Sequence, residues 1–183
     1  MLKQRVFQIA VIFAAFMIIN LTVHSGESCN RPTDVDSGIG ANTGAYGHAE
    51  VVSVGWWEQN NRHHAGISVW GYVENLFGFG AIGATIKCQF WVVELNEKFD
   101  YKAQWYAMPI FEISAQIDPC ECFMPSNHLD ALSFRGGDWL ARKIARAETS
   151  ITVQATAVGR RGAQQTDEWF AWGCVDKVFP DVN

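Results

Sequence analysis

The stretch that decides the fold is Ile82–Leu95, which reads Ile-Gly-Ala-Thr-Ile-Lys-Cys-Gln-Phe-Trp-Val-Val-Glu-Leu. Its alternate positions supply one apolar face of an extended chain: Ile86, Cys88, Phe90 and Val92. The opposite face begins with polar residues and ends with three large apolar ones: Trp91, Val93 and Leu95. Alternation with period two, rich in β-branched and aromatic residues, predicts a β-strand. We therefore expect a central strand that is half exposed where it begins and buried on both faces where it ends.

The first 25 residues have the composition of a secretory signal peptide. Lys3 and Arg5 give a positive start, an apolar stretch follows over Val6–Leu21, and small or modest residues around Ser25 provide a cleavage site. The apolar stretch is shorter than the ~20 residues that span a bilayer. We therefore expect cleavage after Ser25 and a secreted or extracytoplasmic protein; an uncleaved anchor is the alternative.

The charge of the mature chain argues against two classes of partner. Two of the fourteen basic residues lie before the cleavage site and all nineteen acids lie after it, so the mature net charge is 12 − 19 = −7. Such acidity disfavours nucleic acid and anionic lipid as the main partner. Basic residues are concentrated within 135–161, whereas the mature chain before residue 135 is mainly acidic. Because the two regions have opposite charge, head-to-tail self-association is one possible mode of assembly.

The exported chain carries five cysteines: Cys29, Cys88, Cys120, Cys122 and Cys174. An oxidising compartment favours disulfides, and an odd count leaves one thiol over. Cys88 and Cys174 both occupy apolar strand positions, so we predict a Cys88–Cys174 bond, with Cys29 bonded to Cys120 or Cys122. No Cys-x-x-Cys spacing occurs, so the sequence predicts no metal site and no cofactor.

The remaining pattern predicts a mainly β domain with a single helix. Alternating segments follow one another from residue 48 to residue 179, separated by polar turns. On the first of them, Val52, Val54 and Trp56 are predicted to share a face. One short helix is predicted near 138–147 from the Leu140/Ile144 spacing. We expect a signal peptide (1–25), an extended polar arm (26–47) and an antiparallel β-sandwich (48–183).

The arrangement of Cys88, Trp105 and Cys174 resembles the immunoglobulin pattern, with Trp172 two residues before the second cysteine. The interval between Cys88 and Trp105 is longer than in that pattern. The resemblance implies a sandwich of the immunoglobulin-like or a similar type.

The sequence contains none of the common catalytic motifs. It has no nucleophile elbow, no His-Glu-x-x-His and no phosphate-binding loop, so we predict that the protein is not an enzyme. His48 and Glu50 share a strand face, and His63-His64 follow in the next turn, which makes a zinc or copper site an alternative to ordinary surface histidines. We favour surface histidines.

Aromatic residues opposite the expected core faces indicate a binding surface. Trp57, Trp70 and Tyr72 are predicted to form an aromatic platform beside the turn residues Asn60, Asn61, Arg62 and His63. Such a platform would hold a sugar by ring stacking and hydrogen bonds. Packing against another protein is the alternative.

The segment Leu76–Ala84 alternates glycine with large apolar residues, as membrane-fusion peptides do. A tight connection into the central strand explains the same composition. We therefore predict a secreted or envelope-associated, non-catalytic protein that acts by surface recognition or assembly. The alternatives are a carbohydrate-binding module and a membrane-active protein that inserts residues 76–84.

Overall fold

The structure is a computed structural model that describes residues 27–31, 33–60, 62–76, 80–125, 128–135, 144–159 and 162–179, without the side chains of 105–110 and 128–135. These ranges consist of strands and turns, so the predicted mainly β fold is confirmed. The ten strands are β1 (Asn30–Arg31), β2 (Asp34–Ile39), β3 (Tyr46–Gln59), β4 (Arg62–Glu74), β5 (Ile82–Leu95), β6 (Tyr101–Ile117), β7 (Cys122–Phe123), β8 (His128–Arg135), β9 (Ile144–Val158) and β10 (Gln164–Val178).

The strands form two antiparallel sheets. Sheet A has the order β1-β10-β9-β5-β6, and sheet B has the order β2-β3-β4, with both β7 and β8 paired to β4. Strand β5 pairs along its length with β6 on one side and with β9 on the other. The stretch Ile82–Leu95 is therefore the central strand of sheet A, as its alternation predicts.

The inner faces of the two sheets contribute to one hydrophobic core. Phe90, Ile86 and Ile151 from sheet A lie in the same buried cluster as Val51 and Ile67 from sheet B. All five side chains are at most 2% exposed. Burial of this apolar surface is the main stabilising term, at roughly 25 cal/mol per Å² removed from water.

The sheets approach each other closely at two positions where sheet B lacks a side chain. A Cβ atom at Gly71 would lie 2.9 Å from both Ile151 and Val153 of sheet A, and one at Gly47 would collide with the ring of Trp169. A side chain at either glycine would force the sheets apart. Glycine at these two positions is therefore needed for space, because it lets the two inner faces touch.

The end of β5 is buried on both faces, as predicted. Trp91, Val93 and Leu95 point away from the main core and form a second cluster with Phe99 and Ile144. Their exposed fractions are 8%, 4% and 3%.

A β-bulge in β3 changes the predicted orientation of one residue. The register with β4 shifts between Val51 and Ser53, so Val51 and Val54 both point into the core while Val52 is 39% exposed. The predicted common face of Val52 with Val54 is therefore wrong. A bulge inserts one extra residue and reverses the phase of the alternation beyond it.

The helix predicted near 138–147 does not occur over its second half. Residues 144–147 belong to β9, where Ala145 and Ala147 are fully buried and pair with both β5 and β10. Residues 138–143 lie outside the described ranges. Alanine has a high intrinsic helix propensity, but the ladder bonds and burial on both sides of β9 outweigh that preference.

The disulfide joins Cys29 to Cys174, whose Cα atoms are 5.8 Å apart, so the predicted Cys88–Cys174 bond is wrong. Strand β9 separates β5 from β10. The two cysteines are therefore separated by at least two strand spacings, about 10 Å, which is beyond the reach of a disulfide. Cys88 is a buried thiol, whereas Cys120 and Cys122 are exposed thiols. The predicted bond of Cys29 to one of those two is also wrong.

A buried ion pair lies beside this disulfide. The guanidinium of Arg146 contacts the carboxylate of Asp176 with Nε–Oδ1 and Nη2–Oδ2 distances of 2.7 and 3.1 Å. Their side chains are only 3% and 7% exposed. Asp176 Oδ2 also accepts a hydrogen bond of 2.6 Å from the backbone N–H of Cys29. The pair thus holds the segment just before β1 against sheet A.

A set of hydrogen bonds connects the turn between β2 and β3 to sheet A. The carboxylate of Asp167 in β10 accepts hydrogen bonds from the backbone N–H and the hydroxyl of Thr43, both at 2.7 Å, and from Asn42. Burial alone would raise the pKa of Asp167, but these hydrogen bonds together lower it below its ordinary value. The ionised form is therefore the one that holds the turn.

We expect Asp167→Asn to destabilise the protein by about 1 kcal/mol at neutral pH, because an amide is a weaker acceptor and the site is partly solvated. A lowered folded-state pKa means that the contribution is present above the unfolded-state pKa of about 3.9 and is lost as the pH falls towards the folded-state value. Urea unfolding of both proteins between neutral pH and pH 3 measures this. A difference that stays constant below pH 4 would contradict it.

Candidate ligand-binding face

The outer face of sheet B carries a cluster of aromatic side chains. In the register of β3 with β4, Tyr46 pairs with Glu74, His48 with Tyr72, and Glu50 with Trp70. Their neighbours along each strand, including Val51 and Val73, are buried in the core, so these six residues point away from sheet A. We call Tyr46, His48, Trp70 and Tyr72 the aromatic face.

The four rings support one another. His48 stacks on Tyr72 at a centroid distance of 5.2 Å and an interplanar angle of 15°, and Tyr46 stacks on Tyr72 at 5.9 Å and 23°. Trp70 lies 5.0 Å from His48 and 5.6 Å from Tyr72 in tilted arrangements. Rings held by mutual contact lose little conformational freedom when a ligand binds, so the aromatic face is pre-organised.

Polar groups lie directly beside the rings. His48 Nε2 is 3.0 Å from the Glu50 carboxylate, and Glu74 is the cross-strand neighbour of Tyr46. Burial, together with the nearby Tyr46 and Glu74, raises the pKa of Tyr72, so its hydroxyl remains a hydrogen-bond donor at neutral pH. The face therefore combines apolar ring surfaces with carboxylate acceptors and a hydroxyl donor.

Strand β2 continues this surface on one side. Val35 and Ile39 pair with Glu50 and Tyr46, and they are 53% and 62% exposed. Two exposed aliphatic side chains beside half-buried rings extend the apolar part of the face.

The predicted turn residues lie at the far end of the same hairpin. Trp57 is 41% exposed and stacks on His64, with centroids 5.3 Å apart and planes 10° apart. Asn60 and Arg62 are exposed, and Asn60 has a φ of 52°, which asparagine tolerates in turns. His63 instead contacts the ring of Phe179 edge-on at 4.8 Å. Asn61 lies outside the described ranges.

The structure thus brings Trp70 and Tyr72 together and places Trp57 elsewhere on the hairpin. Trp57 pairs with His64, which is six residues from Trp70 along β4, about 20 Å in an extended strand. Tyr46 and His48 are not among the residues predicted for the platform. Their period-two spacing with Glu50 was the available signal, and the pairing register with β4 was the missing information.

The histidines do not converge on a metal. His48 pairs with Tyr72, nine residues along β4 from His63, a separation of roughly 30 Å. Within the described ranges no group of three or more histidine, cysteine or acidic side chains is arranged to hold a metal ion.

Two cavities of a different character border sheet A. One of about 520 Å³ is lined by small and polar residues that include Thr85, Ser114 and Gln116, and another of about 320 Å³ includes Asn42 and Gln165. Neither has an aromatic ring among its lining residues. The outer face of sheet B is therefore the better candidate for a ligand that stacks on rings.

The segment Leu76–Ala84 leads into the central strand. Residues 77–79 lie outside the described ranges, and Ile82 and Ala84 are buried in β5. The side-chain amide of the buried Asn75 donates hydrogen bonds to the carbonyls of Gly80 and Ile117. These contacts favour the tight connection over membrane insertion. In the part of the chain that is described, no helix has the length and apolarity of a membrane span.

The basic segment 135–161 contributes less surface charge than its composition indicates. Arg146, one of the basic residues of this segment, is buried in its pair with Asp176. Residues 136–143 and 160–161 lie outside the described ranges. Head-to-tail self-association through this segment stays a prediction.

Comparison with protein-family models and with curated protein sequences gives no match to this chain.

Proposed function

We propose that this protein is a secreted or envelope-associated, non-catalytic recognition protein that binds a carbohydrate on the aromatic face of sheet B. The proposed architecture is an immunoglobulin-like or similar β-sandwich, supported by two antiparallel sheets with one shared core. The disulfide between Cys29 and Cys174 supports an oxidising, extracytoplasmic location.

The observation that carries the proposal is the joint presence of exposed ring surface and polar groups in one place. Trp70, Tyr72, Tyr46 and His48 form a contiguous, half-buried ring cluster on a solvent-facing sheet. A sugar has C–H faces that stack on rings and hydroxyls that hydrogen-bond to carboxylates such as Glu50 and Glu74. Packing of the hydrophobic core does not explain the ring cluster, because its rings point away from the core.

The negative charge beside the aromatic face limits the class of sugar that can bind there. Glu50 and Glu74 flank the rings, and the mature chain is acidic. Carboxylates repel anionic ligands, so uronate-rich or sulfated glycans are disfavoured. We propose neutral glycans as the ligands.

A protein partner is the second candidate, and the exposed Val35 and Ile39 beside the rings favour it. Apolar side chains at the edge of an aromatic cluster are typical of protein–protein interfaces. Light scattering over a range of concentrations tests one such partner, a second copy of the chain. A monomer at every concentration would count against it.

We expect Trp70→Ala to weaken sugar binding about 30-fold, because loss of a central stacking ring costs about 2 kcal/mol. The measurement is a glycan array followed by titration of intrinsic tryptophan fluorescence with the best neutral sugar. Phe170→Ala is the matched control, since Phe170 is 47% exposed and lies on sheet A. Equal binding by wild type and a folded Trp70→Ala variant would contradict the proposal, as would an array without any response.

A further inference from the structure

The hairpin of β3 and β4 has aromatic groups at both ends of one outer face. On β4, which has no bulge, His64, Ser68 and Trp70 occupy alternate positions opposite buried residues. Trp57 pairs with His64 and stacks on it. The pair of Trp57 with His64 therefore lies on the same side of sheet B as the aromatic face.

The surface between these two aromatic groups is low and open along β3. Its outer positions are Gly55, which pairs with Gly66, and Ser53, which pairs with Ser68. A side chain added at Gly55 would meet no atom within 4 Å, and Ser53 is exposed. Gly66 is buried, so the open strip follows β3 and not β4. We call Ser53 and Gly55 the strip.

The bulge widens the strip. Because the extra residue at the bulge leaves both Val52 and Ser53 pointing outward, β3 presents two neighbouring exposed residues where a regular strand would present one. Strand β2 pairs with β3 only as far as Val51, so beyond that residue no part of β2 flanks the strip. A ligand could lie along this part of β3 without displacing a described strand.

The length of the arrangement exceeds one sugar ring. His64 and Trp70 are six residues apart on an extended strand, which corresponds to about 20 Å. An oligosaccharide chain is long enough to contact two stacking sites at that distance. A single sugar can contact only one of them. Ser53 in the strip and Ser68, its cross-strand neighbour on β4, have hydroxyl groups that can bond to intervening sugar units.

From this geometry we infer that the ligand is a linear neutral oligosaccharide, held at one end by the aromatic face and at the other by Trp57 and His64, with its middle units along the strip. This inference rests on the proposed function and adds the size of the ligand and its direction along β3. Two sites on one rigid hairpin give a long chain higher affinity than either site gives alone.

The test uses linear homo-oligosaccharides of the array's best neutral sugar, from monomer to octamer, titrated against the full mature protein. We expect the affinity to rise at least about tenfold with chain length and then level off. Trp57→Ala is expected to return the long-chain affinity to the short-chain value. Phe170→Ala again serves as the control.

A second variant keeps the test independent of any folding defect in Trp57→Ala. Gly55→Ile adds bulk to the middle of the strip, and it should preserve folding because the position has space, no positive φ and a strand conformation that β-branched residues favour. We expect this variant to lose long-chain binding only.

Three possible results distinguish the inference from the proposed function on which it rests. Loss of the rise in affinity with chain length in both variants supports the inference. Length-independent affinity, or long-chain binding unchanged in Trp57→Ala and Gly55→Ile but lost in Trp70→Ala, overturns the inference and leaves the proposed function in place. Absence of binding to sugars of every length overturns both.

Discussion

Replacement of Asp176 by alanine is expected to lower the free energy of unfolding by about 3–5 kcal/mol, because it leaves a buried guanidinium without its carboxylate. Arg146 and Asp176 are 3% and 7% exposed, so solvent cannot replace the lost partner easily. The variant also loses the hydrogen bond from the backbone of Cys29. Urea or guanidinium unfolding, followed by circular dichroism, measures the effect.

The control is the double variant Arg146→Met with Asp176→Leu. Replacement of both charges by apolar residues of similar volume is often neutral, since no buried charge remains uncompensated. We expect the double variant to recover most of the stability that Asp176→Ala loses. A loss below about 1 kcal/mol in Asp176→Ala would show that the pair is not buried in solution.

Removal of the disulfide is expected to have an effect of similar size. Cys29 and Cys174 are 145 residues apart, so the bond closes nearly the whole described chain into one loop. Loss of a native disulfide typically costs 2–5 kcal/mol, through the restriction that it places on the unfolded chain. Unfolding of wild type with and without reductant, and of Cys174→Ala, measures this loss.

The matched control is Cys122→Ser, which removes an exposed thiol and should leave the stability within about 0.5 kcal/mol of wild type. Alkylation of the folded, unreduced protein is expected to label Cys120 and Cys122, and to label Cys88 only after unfolding. A destabilised Cys122→Ser variant, or a peptide map that links Cys88 to Cys174, would contradict the connectivity. Because Asp176 contacts Cys29, these losses are not expected to add.

Local alternation was sufficient to predict most of the long strands but not the order in which they pair. The bounds and both faces of β5 followed from period-two spacing, and so did the outward direction of Trp70 and Tyr72 on β4. The disulfide could not be predicted in the same way, because it depends on which strand separates β5 from β10. Strand order is a tertiary property, and apolar position alone does not encode it.

Two local predictions, the orientation of Val52 and the helix over 144–147, were wrong because strand pairing determines both. Val52 was predicted to face the core because a bulge leaves no clear mark in a run of valines and serines. Residues 144–147 were predicted helical from the Leu140/Ile144 spacing, whereas pairing with two neighbouring strands places them in a sheet. The aromatic face was only half predicted for the same reason, since Tyr46 and His48 meet Trp70 and Tyr72 through the register of two strands.

The most direct test of sugar recognition on sheet B is a titration in which the tryptophan indole N–H signals are monitored in a nitrogen-15 correlation spectrum. The neutral oligosaccharide that binds best on the array is added to the purified protein. We predict that the signal of Trp70 shifts with saturation, while that of Trp172, whose indole N–H donates to Glu148 on sheet A, stays in place. Saturable shifts of Trp172 with Trp70 unchanged would place the ligand on the opposite sheet and contradict the account.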